Sequence, residues 1–186
     1  MAATGWKRIA KRIRVPMGFV FAGLYLWLAR PTPLFMALSL ALVVPGVLLR
    51  AYASGYVKKN RELTVTGPYA YTRNPLYLGS MTIAFGFALA ARSIWIAVAL
   101  AILFAVIYIP VIRGEEEFLR SAFPEFDAYA TRVPRLLPRI TPAKSGQTEA
   151  GEFSSALYWK HREYNALIGA AAIYIALALR LLLLHP

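Results

Sequence analysis

The sequence predicts an all-α fold, a polytopic bundle of about five transmembrane helices with its N-terminus in the cytoplasm. Three observations predict it. Of 186 residues, 59% are hydrophobic and 16% charged, with a mean hydropathy of +0.51, against about 45–50% apolar and about 25% charged in soluble domains. The apolar residues gather into five runs: Val15–Ala29, Pro33–Leu49, Leu76–Ala91, Ser93–Ile112 and Tyr164–Leu184. The charges avoid those runs and collect on one side of them.

Residues 1–14 are a basic arm. Lys7, Arg8, Lys11, Arg12 and Arg14 read either as an amphipathic helix on anionic lipid, with Trp6 and Ile9 inward, or as a solvated tail that sets topology. The run that follows is not a cleaved signal peptide, because Leu28-Ala29-Arg30-Pro31 is a poor cleavage site. Four spans then occupy 15–112. A span needs about 20 residues; the fourth run satisfies this outright, whereas the first and third borrow flanking residues. Arg30-Pro31-Thr32-Pro33 and Ala91-Arg92-Ser93 are tight external turns. Residues 113–152 form a cytoplasmic segment ending in a Pro/Ser/Gly/Thr-rich linker, Thr141–Glu152. The last span lies in 153–186, with Arg180 long enough to snorkel. The whole chain is one domain.

This topology places every acidic residue and all basic residues except Arg30, Arg92 and Arg180 on one side. Positive residues stay inside, so that side is cytoplasmic. The net charge of +12 is then mostly a topology signal; membrane lipids, not nucleic acid, are the partners. Zero cysteines exclude disulfides, thiolate metal sites and a cysteine nucleophile. His161 and His185 are the only histidines and lie far apart, so no metal site is expected. No Gly-rich phosphate loop, dinucleotide fingerprint or Gly-x-Ser-x-Gly elbow occurs.

Four polar segments remain. In Gly67-Pro68-Tyr69-Ala70-Tyr71-Thr72-Arg73-Asn74-Pro75-Leu76-Tyr77-Leu78-Gly79, Pro75 fits a first helical turn. Arg73 and Tyr77 share a face, and Gly79 admits a ligand or a neighbouring helix. Arg73 at the mouth of a span is either an anion site or a snorkelling arginine. In Arg113-Gly114-Glu115-Glu116-Glu117-Phe118-Leu119, one carboxylate can face the bundle while its neighbours face water, or all are solvated. Phe123 to Pro138 reads as a short interfacial helix followed by an extended strap that could close a pocket. In Lys160-His161-Arg162-Glu163-Tyr164-Asn165, Arg162, Asn165 and Gly169 recur at helical spacing beside Ala166 and Ala170. That gives a small, partly polar face suited to close helix packing, with the charges a collar or a substrate contact.

The segment Gly67–Gly79, the Glu115-Glu116 pair with Leu119, and Tyr129 with Arg132-Val133-Pro134-Arg135 together resemble the isoprenylcysteine carboxyl methyltransferase family, relatives of the membrane phospholipid N-methyltransferases. The resemblance covers about residues 35–140; Arg162-Glu163-Tyr164 looks like a feature of prokaryotic members. It implies a prokaryotic inner membrane, an active site facing the cytoplasm, and S-adenosylmethionine as cofactor. Where the family commonly has Arg-His-Pro, this chain has Arg73-Asn74-Pro75, which removes a titrating group and with it a general base at this position. The family's Phe-Gly is Phe123-Pro124 here.

Carried over, Gly67, Pro68, Tyr69, Tyr71, Arg73, Asn74, Pro75, Tyr77, Leu78, Gly79, Glu115 and Glu116 line the cofactor site. Arg73 or nearby backbone holds the methionine carboxylate, and one glutamate takes the ribose hydroxyls or the α-amino group. Tyr69, Tyr71 and Tyr77 flank adenine or the sulfonium. Arg73 and Glu116 are the catalytic pair. Tyr129 contacts the acceptor, and Arg73, Arg132, Arg135 and Arg162 orient it if it is anionic. Positioning supplies most of the catalysis, and a lipophilic acceptor enters sideways from the bilayer. A carboxylate acceptor needs no base, whereas an amine would need a glutamate. The alternatives are a phospholipid N-methyltransferase, an NADPH-dependent reductase of the sterol type (which shares an Arg-x-Pro-x-Tyr-x-Gly segment) and a non-catalytic scaffold.

Overall fold

A computed structural model describes residues 22–58, 62–144 and 151–184. They are helical or irregular, with no strand among them. A short helix, α1 (22–28), precedes α2 (Pro33–Ser54), which opens on the Thr32 cap with Pro33 in its first turn. A 3₁₀ turn (Gly67–Ala70) leads to α3 (Pro75–Ala91), with Pro75 at its start and left-handed Arg92 at its end. After Ser93 come α4 (Ile94–Leu103), a π turn (Phe104–Tyr108) and α5 (Ile109–Ala122), which form one continuous helix. Next are α6 (Phe126–Arg132), α7 (Ser155–His161) and α8 (Tyr164–Leu184).

Among the described residues three helices are long and apolar enough to cross a membrane: α2, the continuous Ile94–Ala122 helix and α8. The sequence reading of about five is not reached. At 17 residues α3 rises only about 25 Å at 1.5 Å per residue, because Asn74-Pro75 and Arg92 fix its ends. The first apolar run begins outside the described residues, as does the basic arm. Leu48, Ile102, Val106, Leu179 and Leu182 are each more than half exposed; outward apolar faces of this kind suit lipid.

The helix pair α2–α3 is the centre of the bundle. A Cβ on Gly46 would meet the carbonyl of Gly79 at 2.9 Å, and one on Gly86 would meet Val43 Cγ2 at 2.5 Å. Without a hydrophobic drive between helices in lipid, such backbone proximity supplies the association energy. Gly79, expected at the cofactor, is therefore closed off by α2. Around this pair, Tyr25, Val43, Phe87, Leu100 and Leu177 form the buried core.

The two ends of the bundle differ. At one, Arg30 N–H donates to Ala91 O and Arg180 donates to Ala29 O and Trp27 O, each at 2.8 Å. Arg180 thus caps carbonyls of the α1 end within the protein. At the other end lie the C-terminus of α2, the N-termini of α3 and α8, and all of α5–α7. A second small core there, Leu63, Phe126, Tyr129 and Val133, builds a polar cap.

In the α4–α5 helix the π turn precedes Pro110, whose nitrogen has no proton for the carbonyl of Val106. The wider turn stacks Phe104 on Tyr108 at 4.2 Å and sets Tyr108 edge-on to Tyr77 at 5.8 Å. From there α5 carries its acidic residues over the mouth of α3.

Candidate functional site

A cavity of about 430 Å³ opens at the polar end, lined by the α3 start, α5, α6 and the stretch Glu62, Leu63 and Thr64. Its floor is one carboxylate between two guanidinium groups. Glu116, only 4% exposed, lies 3.2 Å from Arg73 Nη1. Its Oε2 accepts from Arg135 Nη2 at 2.8 Å and Nε at 3.0 Å. The Arg73 contact, to Glu116 Oε1, is an ion pair without hydrogen-bond geometry, and Arg73 Nε and Glu116 Oε1 stay buried without hydrogen-bond partners among the described residues. Buried polar atoms of this kind normally have partners, so these two mark where a ligand's polar groups would fit.

The backbone explains how Arg73 is held. Residues 133–143 run as an extended strap alongside 70–74: Arg73 N–H donates to Pro134 O, Arg139 N–H to Tyr71 O and Ala143 N–H to Ala70 O, each at 2.9 Å. Thr72 Oγ1 donates to Leu136 O at 3.0 Å, and Asn74 Nδ2 to Arg135 O at 2.9 Å. Asn74 thus pins the stretch that delivers Arg135 to Glu116. Loss of a buried hydrogen bond costs about 1–3 kcal/mol when a group is left unpaired. Asn74→Ala should therefore lower the unfolding midpoint and speed proteolysis within the strap; wild-type protease resistance would contradict this.

Tyr129 O–H donates to Tyr69 O at 2.8 Å. Burial pushes the Tyr69 hydroxyl above the usual phenol range and does the same to Tyr129, against the lowering pull of Arg73. Both stay protonated donors in a site that otherwise holds charges.

Of the residues the sequence singled out, Tyr69, Arg73, Asn74, Pro75, Tyr77, Glu115, Glu116 and Tyr129 line this cavity. Both glutamates face it, Glu116 buried and Glu115 exposed. Arg135 reaches it by holding Glu116. Gly67, Pro68, Tyr71, Leu78 and Gly79 do not line it. Gly67 has φ +57 and faces the Tyr56 ring, so it and Pro68 shape the turn, while Tyr71 is exposed. Arg132 donates to Ala128 O and Lys144 O, each at 3.0 Å, and ties α6 to the strap. Arg162 lines a second cavity, of about 850 Å³, between α1, α3, α4 and α8.

Sequence reasoning missed one ion pair. Arg50 Nη2 lies 2.8 Å from Glu163 Oε2, and these two residues line both cavities. The available signal was Glu163 itself, the last acidic residue in the chain, at the mouth of a span, where a carboxylate needs a partner.

Residues 46–125 match the phospholipid methyltransferase family. The cobalt-zinc-cadmium resistance protein CzcN of Cupriavidus metallidurans is 34% identical over 149 residues, 76% of this chain and 69% of that one. This chain belongs to the phospholipid methyltransferase family. The nickel-cobalt-cadmium resistance protein NccN of Alcaligenes xylosoxydans xylosoxydans is 42% identical over 97 residues, 52% of this chain and 45% of that protein. No solved structure matches the chain. The phospholipid methyltransferase match contains Arg50, Arg73, Glu115 and Glu116. The strap and Glu163 lie beyond it.

Proposed function

We propose that the protein is an integral membrane S-adenosylmethionine-dependent methyltransferase acting on a lipophilic acceptor, similar to the isoprenylcysteine carboxyl methyltransferases. The observation that carries this is the Arg73–Glu116–Arg135 cluster, with two unsatisfied buried atoms, in a cavity of about 430 Å³. That volume lies in the range of small-molecule sites, about 300–1,000 Å³. The donor set fits the cofactor. Arg73 supplies a guanidinium for a carboxylate, the Glu115 and Glu116 carboxylates suit an amino group or ribose hydroxyls, and Tyr69 and Tyr77 supply aromatic surface. When bound, the cofactor supplies a methyl group already activated by its sulfonium.

The protein's own part is to bind and orient. Glu116 holds Arg73 and Arg135 in register, and the strap fixes the 70–74 backbone that carries Arg73. The cavity of about 850 Å³ is lined mostly by apolar and small residues, among them Tyr25, Ile83, Phe87 and Ala170, and would hold the acceptor's hydrocarbon. The positive-inside rule puts the polar end in the cytoplasm. The relatives' names add a setting for this chain, tolerance of transition-metal cations, and loss of the gene would then sensitise cells to cobalt or cadmium.

The test is a binding titration in detergent. S-Adenosylhomocysteine should bind saturably and NADPH should not. Binding of NADPH alone would favour the reductase, and binding of neither the scaffold. Incubating membranes with methyl-labelled cofactor and identifying the labelled lipid-phase product then distinguishes a carboxylate acceptor from a phospholipid amine.

A further inference from the structure

We propose that Arg50 anchors the acceptor, an anionic oxygen head group on a hydrocarbon chain displacing Glu163 from its guanidinium. This rests on the methyltransferase reading above and names the residue and the head-group chemistry on its acceptor side. The place is specific: among the described residues only Arg50 and Glu163 line both cavities, so whatever passes between the hydrocarbon space and the polar space meets this pair.

The pair is asymmetric. Arg50 Nη1 donates to Leu76 O at 3.3 Å and to Ser80 Oγ, so α3 holds one edge of the guanidinium. Its other edge, Nε and Nη2, meets Glu163 in a two-pronged contact of 2.8–3.1 Å. That fork geometry matches any carboxylate or phosphate. Among the described residues the Glu163 side chain has no other partner. Arg50 therefore stays aimed when Glu163 leaves, whereas nothing else holds Glu163.

Glu163 also lies on a discontinuity. It follows Arg162, whose φ of +54 ends α7, and precedes the first residue of α8. A non-glycine residue in that region costs about 1–2 kcal/mol, so the break is maintained against a local preference for continuous helix. Arg162 lines the same apolar cavity, and its guanidinium makes no hydrogen bond or ion pair among the described residues. A second cation thus stands at the polar end of a space whose α8 wall includes Ala166, Gly169, Ala170 and Ala176. Glu163 is an internal stand-in for the acceptor's anion.

A purely structural tether between α2 and α8 predicts the opposite outcome on mutation. An internal competitor lowers apparent affinity by the fraction of time that Arg50 is free, so its removal must raise affinity. The experiment uses the full chain in lipid nanodiscs with a photoreactive fatty acid displaced by dodecanoate, dodecyl phosphate or dodecanol. Dodecanoate or dodecyl phosphate should compete about tenfold better than dodecanol; which of the two is stronger identifies the head group. Arg50→Gln should erase that preference, and Glu163→Gln should strengthen anionic competition about tenfold. If Glu163→Gln does not fold, Glu163→Asp, which shortens the reach to Arg50, should show the same gain in smaller measure. Equal competition by the alcohol in wild type, or no gain in a folded Glu163 variant, overturns the proposal. S-Adenosylhomocysteine binding is measured in parallel. Its absence beside an intact head-group preference counts against the cofactor reading alone; the reverse pattern counts against Arg50 alone.

Discussion

Glu116→Ala is expected to cost about 3 kcal/mol of stability and to remove measurable S-adenosylhomocysteine binding. Removing one member of a buried ion pair costs about 3–5 kcal/mol, because the other charge stays buried without compensation. Here the uncompensated group is Arg73, whose side chain is 12% exposed, while Arg135 is 47% exposed and returns to water. The low end of the range therefore applies. Glu116→Gln keeps the shape and loses the charge, and should fall between. Glu117→Ala, on the exposed side of the same helix, should stay within about 0.5 kcal/mol of wild type. Thermal unfolding and calorimetric titration of the detergent-solubilised variants measure both quantities. Wild-type melting together with wild-type affinity in Glu116→Ala would remove the cluster from any functional role.

The cluster was legible in the sequence because its members are local to three short polar segments, with Arg135 on the stretch from Phe123 to Pro138. Arg73, Asn74, Pro75 and Tyr77 lie within five consecutive residues, and Glu115 with Glu116 directly follows an apolar run. What the sequence left open there, which glutamate faces the pocket, depends on the phase of α5. The π turn before Pro110 alters that phase, and a regular helical period does not foresee it. Arg50 and Glu163 escaped for a different reason. Each belongs to a charged stretch at a span end that reads as topology, and their pairing spans more than half the chain. The small residues of α8 read as packing; in the structure Ala166, Gly169 and Ala170 line a cavity. Asn74 read as a cofactor contact that had lost a titrating ring. It also supports the strap, through the bond to Arg135 O.

Gly79 separates packing from ligand contact most sharply, because the same substitution has opposite signs at two glycines. Gly79→Ala places a Cβ 2.7 Å from Arg50 Cγ and 2.8 Å from Gly46 O. The carbonyl belongs to a helix backbone and cannot swing away, so α2 and α3 must separate, at a cost of about 1–3 kcal/mol. Gly114→Ala, in the exposed part of α5, meets nothing within 4 Å and should gain about 0.5–1 kcal/mol from helix propensity. The displaced Arg50 stem also predicts that Gly79→Ala weakens competition by anionic amphiphiles. The remaining folded protein should still bind S-adenosylhomocysteine, since Gly79 does not line that cavity, with any loss of affinity limited to what the shift of Arg50, which does line it, causes. A variant that melts like wild type but loses S-adenosylhomocysteine would return Gly79 to the cofactor site, where the motif alone had placed it.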